Sequence, residues 1–325
     1  MHIYTEDRKL GLNSVFPKEW QILNETILIA FCITEILTAK KEKPNSNPEI
    51  IHQNDSLWVI VKGRIIYAPT DDITVHGDSK LNVELGNREL KSSLYLISFV
   101  KFNNLKYNRN QTLLLAKANA IIAGIQCGLN IVSKTVATSV TEFTKMQNNF
   151  NVRPDNKLNI TTQAFWGADL ETSDFHRIFN TSRTFNTLDK PIKNRFILSA
   201  NWLLKSRNLS GPDSFLAKWI SLETLCMPDR TNIMPIVDLL SNAYGYSSEI
   251  IKEKFQIGRS FGLRGDIVHN GYHVDLEFKY LSMIDFIILD CMIEILNLNC
   301  VRYTEKYLKV MKFDPTKYLK ILQKK

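Results

Sequence analysis

In the last third of the chain the apolar residues Leu281, Ile284, Ile288, Cys291, Ile295 and Leu298 recur at alternating steps of three and four. That alternation tracks the helical period of about 3.6 residues, so it keeps one stripe on one face over several turns. A long helix with one buried seam is expected there. Upstream, Ser210-Gly-Pro-Asp-Ser-Phe-Leu-Ala-Lys-Trp-Ile-Ser-Leu-Glu-Thr-Leu225 reads as another helix, capped by Ser210 or Gly211 with Pro212 near its first position. Leu216, Trp219, Ile220 and Glu223 share one stripe of it. Glu223 therefore puts a carboxylate on an otherwise apolar face, which is costly unless a cation or hydrogen-bond donor meets it. Arg264 and Arg259 are the natural candidates. These segments predict an α-helical domain with polar groups planted inside.

Between the two helices runs Gly258-Arg-Ser-Phe-Gly-Leu-Arg-Gly-Asp-Ile-Val-His-Asn-Gly271, an amphipathic stretch with Arg264 and His269 five residues apart. Asn270-Gly271 reads as its stop signal. Imidazole titrates near neutrality and can take or give a proton while a ribose 2′-hydroxyl attacks its phosphate. Guanidinium keeps its charge and can stabilise the negative charge that the phosphate gains. The pair suits RNA cleavage without a metal. On an ideal helix five steps turn about 140° beyond a full circle and rise about 7.5 Å, so the two groups flank a groove instead of stacking. A two-fold axis beside this helix would gather two arginines and two histidines into one cleft. One protomer supplies half of that set.

Trp219, Leu222, Glu223 and Leu225, followed by Arg264, Ile267, Val268 and His269, resemble the Apea-like branch of the HEPN superfamily. In that branch an upstream helix carries Trp-x-x-Leu-Glu-x-Leu and a later one carries Arg-x-x-x-x-His-Gly. Arg195–Leu204 looks like the family's opening helix, and the resemblance covers about residues 190 to 300. This sequence departs from the pattern at Gly265, where many members have a polar residue, and at Asn270, which intervenes before Gly271. The resemblance implies a four- or five-helix bundle that dimerises and acts as an endoribonuclease in phage defence or a toxin system. Some HEPN domains instead bind without cutting. Arg264 and His269 would be the catalytic residues, with Glu223, Arg259, Asp266 and Asn270 in support. Glu223 fits an orienting role better than a catalytic one, and Arg259 either binds phosphate or closes a salt bridge. A bland alternative stands beside this: a surface arginine and a histidine at a helix end. His273 reads as a loop residue.

The N-terminal half carries no comparable motif. Residues 18 to 42 read as a helix ending before the turn-rich Lys43-Pro-Asn-Ser-Asn-Pro48. Leu57–Ala68, Ile73–Val75, Leu81–Leu85 and Leu94–Phe102, rich in β-branched and aromatic residues, predict a small sheet. Gln111–Met146 reads as one or two helices broken at Gly124–Gly128, with linkers at Asn148–Pro154 and Thr181–Lys190. The expected fold class is α+β, mostly α. A mixed α/β domain over residues 1–186, with a sensing or substrate-selecting role, precedes the HEPN-type helical domain over 187–325.

Hydrophobic content of 44% with 23% charge is ordinary for a globular chain, and 325 residues favour two domains. Five cysteines without a C-x-x-C pair point away from a disulfide scaffold or zinc knuckle, and His2, His52, His76 and His176 show no zinc-like spacing. No metal or cofactor is expected. The N-terminus lacks the apolar core of a secretory signal, and Ile22–Ala39 is interrupted by Glu25 and Glu35, so it reads as a globular helix and not a membrane span. A cytoplasmic protein is expected. The net charge of +8 is concentrated at the end, where Arg302, Lys306, Lys309, Lys312, Lys317, Lys320, Lys324 and Lys325 face only Glu305 and Asp314. Tyr303, Tyr307, Phe313 and Tyr318 interleave with them. Such a tail either follows a phosphate backbone while its aromatics stack on unpaired bases, or packs as a terminal helix with solvated lysines.

Three readings follow. The first is a dimeric endoribonuclease, restrained by its N-terminal domain, an antitoxin or a concentration-dependent dimer and released by a phage-derived trigger. The second is a catalytically silent RNA-binding or sensor module. The third is a protein-interaction subunit, which the basic tail disfavours.

Overall fold

The structure is a computed structural model. It describes residues 2–4, 9–10, 15–21, 26–36, 49–53, 55–67, 88–102, 134–146 and 149–154, then 181, 183–206, 209–227, 232–271 and 274–322. The chain divides into two compact units, Met1–Phe179 and Asn180–Lys325. The division precedes the expected 186/187 boundary because residues 183–187 form a helical turn whose buried Phe185 packs on Phe196, 5.4 Å between ring centroids. The expected linker over 181–190 is thus part of the second unit. Across the described residues the class is α+β with helix predominating.

The described residues of the first unit form chiefly an antiparallel sheet. Its strands are β1 (His2–Tyr4), β2 (Lys9–Leu10), β3 (Thr26–Ile36), β4 (Glu49–Gln53), β5 (Ser56–Tyr67), β6 (Arg88–Phe102), β7 (Lys134–Met146) and β8 (Asn149–Pro154). They lie in the order β2-β1-β5-β6-β3-β7-β8. β4 pairs with the first half of β5 and β1 with the second, end to end along one edge. The register of β5 against β6 shifts between Gly63 and Ile65, where a glycine relieves the crowding of a bulge. Leu57, Trp58 and Val59, like Ile97 to Val100, are buried without alternation, so the sheet centre is covered on both faces. Trp20, in a 3₁₀ turn (Lys18–Trp20), stands edge-on to His52.

Where they are described, the expected helices at 18–42 (with 22–39 inside it) and at 111–146 are strands. Within 18–42 the chain forms a 3₁₀ turn and β3, and the end of 111–146 is β7. In β3, Thr26, Ile27, Ile29, Ile33, Thr34 and Ile36 are β-branched, a composition that loses rotamer freedom in a helix and fits a pleated surface. Thr and Val do the same in β7. The supposed linker at 148–154 is β8, paired with β7. Expected strands at 57–68 and 94–102 correspond to β5 and to the C-terminal part of β6. Residues 43–48, 73–75, 81–85 and 111–133 lie outside the described residues, as do His76, His176 and His273.

The second unit is helical: α1 (Lys190–Ser206), α2 (Gly211–Cys226), α3 (Met234–Tyr244), α4 (Ser248–Phe255), α5 (Ile257–Asn270), α6 (Phe278–Ile295), α7 (Tyr303–Val310) and α8 (Pro315–Leu322). α6 is its central element. The seam through Ile284, Ile288 and Cys291 is buried, but so are Met283, Ile287, Met292 and Ile293 on its other sides. A helix apolar all round belongs in a core. It stops at Ile295, short of Leu298, with Asn297 in the left-handed region. α1 and α2 meet through small residues, where the hydroxyls of Ser199 and Ser221 lie 2.9 Å apart. Phe215 of α2 stacks on Tyr280 of α6, which in turn packs on Tyr318 of α8.

The buried side chains of Lys218, Asp285 and Asp290 all have hydrogen-bond partners. Lys218 of α2 binds Asp285 of α6, both almost fully buried. Asp290 accepts the backbone N–H groups of Tyr303 and Thr304 at 2.7 and 2.9 Å, together with the hydroxyls of Thr304 and Tyr244. It thereby caps the first turn of α7 from another helix. Burial pushes the Asp290 carboxyl up, against the pull of these hydrogen bonds. No helix among the described residues is long and apolar enough to cross a membrane.

Candidate functional site

α5 carries the arginine and histidine singled out by the sequence. It begins directly after α4, with Gln256 in the left-handed region between them at φ 54°. The carbonyl of Gln256 accepts both the N–H and the hydroxyl of Ser260, each at 3.0 Å, and the Tyr280 hydroxyl lies 2.7 Å from that same serine oxygen. These bonds pin the first turn of α5 to α6. Ile257, Ser260 and Leu263 are buried, whereas Gly258, Gly262, Asp266 and His269 are exposed. The helix ends at Asn270, and Gly271 takes φ 61°, which a glycine adopts without strain.

α2 meets α5 at the predicted carboxylate. The indole N–H of Trp219 donates to Glu223 Oε1 at 3.0 Å, and Arg264 Nε approaches the same oxygen at 3.5 Å. Phe261 packs beside Trp219, 6.3 Å between centroids. Of the two arginines expected to answer Glu223, Arg264 does so. The side chains of Arg264 and Glu223 are 30% and 23% exposed, so the pair sits at the rim of the core, within reach of solvent.

His269 lies in the last turn of α5 and is exposed. Helical geometry sets it about 140° around the axis from Arg264, so within one chain the two side chains do not converge. Asn270 donates to Asp266 at 3.2 Å, which ties the two supporting polar residues to each other on the exposed side. Arg259 is partly buried, and its Nη1 is buried with no hydrogen-bond partner among the described residues. It stands about 80° from His269 and about 140° from Arg264 by helical geometry. The structure therefore brings Arg264 to Glu223, leaves His269 exposed, and among the described residues gives Arg259 no ion pair.

The sequence reading missed the part played by Trp219. Its indole and the Glu223 carboxylate stand four residues apart, the spacing at which helical side chains meet. Missed too were Ser260 with Tyr280, and the charges of Lys218, Asp285 and Asp290. For the charges the signal was present, since each interrupts an apolar helix face as Glu223 does. Among the described residues no group of three or more His, Cys, Asp or Glu side chains is placed to hold a metal ion. Cys291 is fully buried against Cys226; the hydrogen bond between them, then burial, pushes its thiol well above the ordinary range. That makes it a poor nucleophile.

The C-terminal aromatics turn inward. Tyr303 and Tyr307 pack on Phe286, and Phe313 packs on Tyr318, whose ring is buried. Tyr307 donates to the Lys279 carbonyl, and the Tyr318 hydroxyl accepts the Glu277 N–H. Tyr318 is buried and Tyr303, Tyr307 and Phe313 are half-buried, and all four attach α7 and α8 to the bundle.

No protein-family model matches the chain, and no curated protein or solved structure matches it either.

Proposed function

We propose that this chain is an endoribonuclease of the HEPN type that needs no metal and works as a homodimer, cutting RNA in phage defence or a toxin system. The observation that carries the reading is the meeting of the two motif-bearing helices, α2 and α5, at Glu223 and Arg264, with His269 exposed on the same helix as the arginine. Glu223 and Trp219 orient the guanidinium. His269 takes the proton from a ribose 2′-hydroxyl, whose oxygen attacks the adjacent phosphorus. The 5′-oxygen of the next nucleotide leaves with a proton from an acid, the second subunit's copy of the same histidine. Arg264 stabilises the charge on the phosphate oxygens while this happens. The products are a cyclic phosphate and a 5′-hydroxyl, and DNA is spared because it lacks the attacking group.

The test compares total-RNA cleavage in EDTA by wild type and by Arg264→Ala/His269→Ala, with oligomeric state measured alongside. Cleavage by the wild type alone is expected. Activity that survives in His269→Ala, or that chelator removes from the wild type, overturns the proposal.

A second reading has its own observation. Arg264 is already engaged by Glu223 and stands well around the helix from His269, as in a module that grips RNA without cutting it. It predicts salt-sensitive binding and intact RNA after incubation with the dimer.

A further inference from the structure

α7 and α8 carry a dense positive charge whose distribution becomes readable once the side chains are placed. Arg302 is spent inward: its guanidinium binds Glu294 at 2.5 Å and the carbonyls of Leu298 and Cys300. By contrast Lys306, Lys309, Lys312, Lys317 and Lys320 are all exposed. The acids that could neutralise them are partly committed. Glu305 binds Lys254 of α4, and Asp314 accepts the first N–H groups of α8 from Thr316 and Lys317 at 3.0 and 3.2 Å. Lys317 pairs with Asp314 at 3.6 Å, an ion pair that is highly exposed and therefore weak.

We propose that the outer face of α7 and α8 is a polyanion-binding surface that holds the phosphate backbone of RNA without reading its bases. Lys306 and Lys309 stand one turn apart on α7, as do Lys317 and Lys320 on α8, with Lys312 in the left-handed turn between the helices at φ 47°. Within each pair the Cβ atoms are about 5–6 Å apart, a spacing that suits successive charges on a flexible strand. Lysine presents a mobile point charge, not a planar fork, so it meets phosphate without fixing a base. Of the four interleaved aromatics Tyr318 is buried and Tyr303, Tyr307 and Phe313 are half-buried against neighbouring rings, which reduces the ring surface left for stacking on unpaired bases. Retention of substrate is thus separated from selection of the cleavage point. The choice of RNA as the polyanion rests on the proposed nuclease reading; the lysine surface itself does not need cleavage.

The experiment uses the full chain carrying His269→Ala, so that probes stay intact, with and without Lys306→Gln/Lys309→Gln/Lys317→Gln/Lys320→Gln. Anisotropy of a labelled mixed-sequence RNA oligonucleotide, a DNA oligonucleotide of the same sequence and vesicles containing phosphatidylserine is followed against salt. RNA and DNA are expected to bind comparably, with log K falling linearly in log salt. The quadruple variant should bind at least tenfold more weakly at low salt. Its slope should be shallower by about 3, from about 0.7 per lost phosphate contact on a single strand. Equal thermal midpoints establish that the variant is folded. Unchanged RNA affinity or salt slope in the folded variant overturns the proposal, as does tighter binding to vesicles than to RNA. In parallel, cleavage is compared in chains with and without His269→Ala: lysine-dependent binding without histidine-dependent cleavage keeps this proposal and sinks the nuclease, and the converse result sinks this one alone.

Discussion

Arg264 and Trp219 share one acceptor, Oε1 of Glu223, with the guanidinium Nε at 3.5 Å and the indole nitrogen at 3.0 Å. The contact uses the inner edge of the guanidinium, so the two Nη nitrogens are not the part that meets the carboxylate. If Glu223 positions Arg264 for a phosphate, Glu223→Gln keeps an acceptor for the indole yet loses the charge that holds the arginine. Cleavage should fall about tenfold in kcat with KM little changed, roughly 1.4 kcal/mol in the barrier. The thermal midpoint should shift by less than about 1 kcal/mol equivalent, because both side chains are partly solvated. Arg264→Lys keeps a charge but not the fork and should cost more than Glu223→Gln. Steady-state kinetics decide it: an unchanged kcat in Glu223→Gln removes the positioning role.

His269 and Arg259 should separate stability from function in opposite ways. His269 is exposed, so His269→Ala is expected to move stability by no more than about 0.5 kcal/mol. Loss of acid–base help should nonetheless lower cleavage by about 10² to 10⁴. Arg259 has a buried guanidinium nitrogen without a hydrogen-bond partner among the described residues, an arrangement that costs stability. Arg259→Met should therefore leave the thermal midpoint equal or raise it, while weakening RNA binding. A fall of more than about 1 kcal/mol would mean that the arginine serves the fold.

Asp290 links α6 to α3 and α7 by four donated hydrogen bonds. Asp290→Ala strands two backbone N–H groups and two hydroxyls, and should destabilise the chain by about 3 kcal/mol. Burial raises the folded carboxyl above its unfolded value of about 3.9. A carboxyl that holds its proton more tightly when folded gives its full linked stability below the unfolded value. That contribution is lost as pH rises through the raised one. Thermal midpoints of wild type and Asp290→Asn against pH test this. Wild type minus variant should be greatest below about pH 4, decline with rising pH and then level off; a difference that grows with pH refutes it.

Helical period was legible in α5, where one face is apolar and the other polar. In α2 burial runs around the helix, and of the stripe Leu216, Trp219, Ile220 and Glu223 only Trp219 is buried, although Arg264 was one of the two partners named for Glu223. The period failed at β3 and β7. β3 is a nearly continuous apolar run with no face to reveal, β7 is rich in threonine, and in both the β-branched content was the better guide. In α6 burial on every side made the written seam only part of the core. Gly271 showed where α5 ends because a left-handed stop favours glycine. The fate of the aromatics beyond Arg302 was not legible, since Tyr307 and Tyr318 are read correctly only with Phe286 and Tyr280 beside them. Asp285 and Asp290 stood in the seam helix unremarked, although the rule applied to Glu223 reaches them as well.

That rule has a direct test at Lys218 and Asp285, a buried pair bridging α2 and α6. Removing one partner takes from the other the opposite charge that it meets in the core. Lys218→Met and Asp285→Leu singly should each cost about 3–5 kcal/mol. Together they replace the ions by apolar groups of similar length, so the double variant should recover most of the loss. The coupling in a double-mutant cycle is then large and of opposite sign to the single effects. Chemical denaturation measures all four proteins. Single losses that simply add would show that the two charges are solvated independently, and the ion pair would then not be a core element between these helices.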